Sequence, residues 1–65
     1  MKKLSEIANG VEVTVVNIDD LIRYAAGQGQ KEVQLTKEEK EVFNLFMEEN
    51  GFSGDVFAGV KVHGI

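Results

Sequence analysis

Between Val11 and Val16 the chain reads VEVTVV, and its valines return at every second place. Val11, Val13 and Val15 fall on one side, and Glu12, Thr14 and Val16 on the other. A period of two built from β-branched residues predicts a strand over about 11–17. KEVQL (31–35) alternates through Val33 and Leu35 and predicts a shorter strand. GDVFAGVKVHGI (54–65) places Val56, Ala58, Val60 and Val62 on one phase and predicts a last strand over 56–63.

Elsewhere the apolar spacing is helical. Ile18, Leu21, Ile22 and Ala25 predict a helix over about 18–27. Asn17 is its candidate cap, Asp19 and Asp20 sit where the helix dipole favours negative charge, and Gly27 and Gly29 end it. TKEE (36–39) is a capping box, in which the Thr36 hydroxyl and the Glu39 carboxylate each accept from the other's backbone amide. It opens a helix over 37–50 that stops at Gly51. Leu4, Ile7 and Ala8 mark one short helical turn over 3–8, with Asn9-Gly10 as a left-handed stop.

The helix over 37–50 has an unusually wide apolar arc. Leu45, Val42, Phe46, Phe43 and Met47 span about 200° in projection, where a half-buried surface helix needs a little over about 100°. Something must cover the extra width. Together the elements predict one α+β domain over residues 1–65. Its two- or three-stranded sheet (11–17, 31–35, 56–63) has the two main helices packed on one face. The first and last strands, each with a valine-rich face, are the expected pair.

Composition narrows how such a domain holds together. The chain has 65 residues, no cysteine and one histidine, which excludes disulfides and disfavours a closed zinc site. A packed core or a second chain must supply the stability. No apolar run approaches the roughly 18 residues of a membrane span. MKKLSEIANG has no stretch long enough for a signal peptide, and with no cysteine a cytoplasmic location is expected.

Charge narrows the partner. Eleven carboxylates face seven basic side chains, and Arg23 is the only arginine. Nucleic-acid binding depends on cations that neutralise phosphates, so that role is disfavoured. A basic protein surface, or a basic site that nucleic acid normally fills, suits this balance better.

No catalytic, metal or cofactor constellation stands out. His63 falls on the polar phase of its strand beside Lys61, and no local spacing gives it the orienting partner that acid–base catalysis needs. Ser5 and Ser53 lie in no nucleophile motif. Asp19 and Asp20, adjacent on a helix, point about 100° apart and do not converge on one ion. Glu38, Glu39, Glu41, Glu48 and Glu49 are not spaced as a calcium loop. AAGQGQ (25–30) follows a helix and lacks the phosphate-loop lysine. The chain therefore reads as a non-enzyme with no cofactor.

The aromatic residues point to association. Phe57 falls on the phase opposite Val56, Val60 and Val62, Met47 lies at the edge of the wide arc, and Phe52 sits in a turn. These three are expected to form an exposed apolar patch, the usual mark of contact with another chain. The candidate partner-binding residues are thus Phe52 and Phe57 as apolar anchors, Met47 beside them in the patch, and Glu41 and Glu48 for electrostatic steering.

QLTKEEKEVFNLFMEENGFSGDVFAGVKV (34–62) resembles a style of short bacteriophage-encoded proteins. In these an L-T-x-E-E helix is followed by a turn and an F-x-G-[IV]-x-V strand. The residues here are Leu35, Thr36, Glu38 and Glu39, then Phe57, Gly59, Val60 and Val62. The resemblance implies a protein that binds and inhibits or modulates a bacterial host protein or defence system in the host cytoplasm. The function expected is thus a small acidic protein–protein interaction module. The alternatives are a homo-oligomer that sequesters a small ligand and, behind it, a nucleic-acid-binding module.

Overall fold

The computed structural model describes residues 1–64. Its elements follow the order β1 (Lys2–Lys3), α1 (Leu4–Ala8), α2 (Ile18–Gly27), β2 (Glu32–Leu35), α3 (Lys37–Glu49), β3 (Val56–Phe57) and β4 (Val60–Gly64). The fold is α+β, with the four strands in the order β1-β2-β4-β3. No helix among the described residues is long and apolar enough to cross a membrane.

The sheet is mixed. β1 pairs parallel to β2, and β2 pairs parallel to β4 from Glu32↔Lys61 to Leu35↔Gly64. Parallel neighbours need crossover connections. Here α1 and α2 make the first crossover and α3 the second. The central pair is therefore β2 with β4, not the first and last predicted strands. Val33, Leu35, Val60 and Val62 are buried from one sheet face into a core shared with Leu4, Ile18, Ile22, Phe43 and Phe46. The other face carries Glu32, Gln34, Lys61 and His63, the polar half of the alternation.

The strand predicted over 11–17 does not form. Residues 11–14 have no regular structure and 15–17 form a turn. Asn17 is the cause. Its side-chain oxygen accepts from the Thr14 amide at 2.8 Å, and its side-chain nitrogen donates to the Glu12 carbonyl at 2.6 Å. The Thr14 hydroxyl accepts from the Val16 amide at 3.3 Å. These local bonds give the backbone an alternative to a ladder. They also leave Asn17 with no side-chain bond into α2, so it does not cap that helix as expected.

The last predicted strand, 56–63, is a hairpin instead. Phe57 pairs with Val60, and Ala58 and Gly59 turn the chain with φ of 53° and 77°. Positive φ at both central positions is what a type I′ turn requires. The two-residue turn puts Phe57 on the same side as Val60, so Phe57 is buried (8% exposed) and Val56 is not.

The helices follow their sequence signals closely. In α3 the capping box is complete: the Thr36 hydroxyl accepts from the Glu39 amide at 3.2 Å, and the Glu39 carboxylate accepts from the Thr36 amide at 2.8 Å. At its other end Gly51 (φ 72°) lets the Phe52 amide donate to the Met47 carbonyl at 2.8 Å and the Gly51 amide to Glu48 at 3.2 Å. This is a Schellman ending, which folds the residue after glycine back onto the last turn. In α1, Asn9 takes the left-handed conformation (φ 51°) that stops the helix.

Candidate functional site

The structure separates the five predicted partner-binding residues. Glu41 and Glu48 are exposed on α3. Met47 and Phe57 are buried in the core, so neither forms the exposed patch expected of them. Phe52 is half exposed at 50%, and its position has an internal cause. The Schellman turn lays its ring 6.4 Å from Phe46 and 5.9 Å from Phe57 between centroids. Phe46 meets Phe57 edge-on at 5.2 Å and 89°, and the Arg23 guanidinium sits 5.2 Å above Phe57. Phe52 is thus the outer member of an aromatic triad.

The wide arc of α3 resolves at one residue. Phe43, Phe46 and Met47 are buried and Val42 is partly buried, but Leu45 remains 49% exposed. Residues three and four apart are neighbours on a helix surface. Glu41, Glu48 and Glu49 stand at those offsets from Leu45, so an uncovered leucine lies inside a ring of three exposed carboxylates. None of the three joins an ion pair among the described residues. Leu45 was legible only as part of a broad stripe. The sharper signal is the glutamate spacing on either side of it.

The acidity is concentrated on the helices. They carry Glu6, Asp19, Asp20, Glu38, Glu39, Glu41, Glu48 and Glu49 against Arg23, Lys37 and Lys40. The strands carry Lys2, Lys3 and Lys61 against Glu32. A basic partner would meet its most favourable field on the helix side.

His63 has the orienting partner that local spacing did not supply. Sheet register brings Glu32 diagonally across from it, and Nε2 lies 2.7 Å from the Glu32 Oε1. The pair sits on the open sheet face, and neither residue lines either of two surface clefts. One cleft, of about 240 Å³, is lined by Lys2, Glu6, Ile7, Asn9, Tyr24 and Gln28, among others. Another, of about 150 Å³, lies between Lys3, Ser5, Gln34 and Glu39. Comparison with protein-family models, curated proteins and solved structures finds no match for the chain.

Proposed function

We propose that the chain is a small acidic protein-binding module that docks α3 onto a basic surface of another protein. Leu45 inside the ring of Glu41, Glu48 and Glu49 is the observation that carries this reading. Interfaces of this kind hold an apolar anchor at the centre and charge at the rim. The unpaired carboxylates steer a lysine- or arginine-rich partner, and the leucine enters a socket that excludes water. Phe52 is a second, peripheral anchor. The resemblance to short bacteriophage proteins supports a bacterial host or defence protein as the partner, inhibited or modulated by covering a basic functional surface in the cytoplasm.

The test is differential capture. Tagged wild type, Leu45→Ala and Glu41→Lys/Glu48→Lys are incubated with bacterial lysate, and stoichiometric partners are identified by mass spectrometry. One partner held by wild type and lost by both variants supports the reading. A partner held equally by all three places the binding surface elsewhere. If the partner normally binds nucleic acid, adding the chain should release it.

A further inference from the structure

The VEVTVV segment is the strongest strand signal in the sequence, yet it belongs to no strand. Three of its four valines face water: Val11 is 55% exposed, Val15 37% and Val16 83%. Val13 alone packs against the core. Six residues, five of them valine or threonine of high β-propensity, with no proline or glycine form a segment that pairs when an edge is offered. What holds it in its turn is local: the two side-chain bonds of Asn17, that of Thr14, and the Asn17 and Ile18 amides that donate to the Thr14 carbonyl.

The fold offers this segment no edge of adequate length. The outer strands β1 and β3 have two residues each. Short edges of this kind limit pairing. A matching ladder of full length is offered by the same segment of a second copy. We propose that residues 11–16 open and that residues 11–15 pair antiparallel, about a twofold axis through Val13, with residues 11–15 of a second copy.

The register follows from the side chains. Centring on Val13 sets Val11 opposite Val15 of the second copy and Glu12 opposite its Thr14. One face of the ribbon is then all valine, and no two glutamates stand opposite each other. Shifting by one residue mixes valine and glutamate on both faces, which is why register is specified.

Sedimentation of the full chain from about 10 µM to about 1 mM, with hydrogen exchange at each concentration, tests the proposal over the range where exposed pairing segments associate. The expected result is a monomer–dimer equilibrium in which every second amide of residues 11–15 becomes protected in the dimer, as an antiparallel ladder requires. Asn17→Ala removes the turn's two Asn17 side-chain bonds and should lower the dimerisation midpoint by about tenfold or more, worth roughly 1.4 kcal/mol. Val11→Lys and Val15→Glu, both at exposed positions, should each weaken the dimer about tenfold, and an equimolar mixture should recover it as a heterodimer through the Lys–Glu cross-strand pair. Far-ultraviolet circular dichroism confirms that each variant is folded. The proposal is overturned if wild type and Asn17→Ala both stay monomeric at the top concentration. It also fails if a dimer forms with these amides unprotected, or if the mixture does not recover association.

Discussion

Glu32 on β2 and His63 on β4 meet across the central parallel pair, with Oε1 and Nε2 2.7 Å apart. They are 31 residues apart in sequence. An ionised carboxylate only accepts, so the imidazole nitrogen donates. The bond ties the two strands on the face that the helices leave open. Because the Glu32 side chain is 51% exposed, it contributes little net stability. Glu32→Ala is expected to cost less than about 1 kcal/mol in urea denaturation. A loss several times larger would mean that the open face carries packing that its exposure does not reveal.

The hairpin contains a correctable strain. Ala58 sits at φ 53° with its side chain exposed, a conformation that costs an L-residue about 1 kcal/mol or more. Asparagine tolerates it, and Asn-Gly is the preferred type I′ pair. Ala58→Asn should therefore stabilise the protein by about 0.5–1 kcal/mol, raising Tm by roughly 2–8 °C for a domain of this size. Calorimetry of the single variant checks this. An unchanged or lower Tm would count against the turn assignment.

Ala58 also shows why part of the fold was hidden in the sequence. A pattern of period two runs through Val56, Ala58, Val60 and Val62 as though the strand were continuous. Only an Asn-Gly or Asp-Gly pair would have announced the turn, and alanine occupies that place. The phase error then carried Phe57 to the wrong side. The failure at 11–17 is of the same kind, because alternation does not register that the Asn17 side chain reaches back to Glu12 and Thr14. β1 had no signal to read, since Lys2 and Lys3 are strand only by pairing with Val33 and Gln34. α3 was legible from end to end because its capping box and Gly51 act locally. The candidate site was half legible. Glu41 and Glu48 lie where the helix period puts them, but which apolar residue stays uncovered depends on where the sheet and α2 pack.

The aromatic side chains should divide sharply by burial. Phe43 has no exposed surface, and replacing such a ring with alanine costs about 3–5 kcal/mol. The core of a 65-residue domain rarely supplies more than about 3–5 kcal/mol, so Phe43→Ala should be largely or wholly unfolded at 37 °C. Phe52→Ala loses one exposed half-ring and two tilted aromatic contacts, and should cost about 1–2 kcal/mol. Chemical denaturation of the pair gives the order. Equal losses would mean that the triad, rather than the helix–sheet interface, anchors the core.

Leu45 is where stability and binding should come apart. Its side chain is half exposed, and leucine and glutamine are nearly equal in helix propensity, so Leu45→Gln should shift stability by no more than about 0.5–1 kcal/mol. The ring of Glu41, Glu48 and Glu49 is left intact by this change, so the steering field and its salt dependence persist. What disappears is the apolar group at the centre, and truncated central anchors typically cost about 2 kcal/mol or more of binding free energy. Once a partner is in hand, Leu45→Gln is expected to raise its dissociation rate about thirtyfold with little change in the association rate. Charge reversal at Glu41 and Glu48 is expected to do the opposite, slowing association most at low salt. Surface plasmon resonance at two ionic strengths separates the two effects. A leucine variant that binds as well as wild type would remove the anchor from the proposal and leave electrostatics alone.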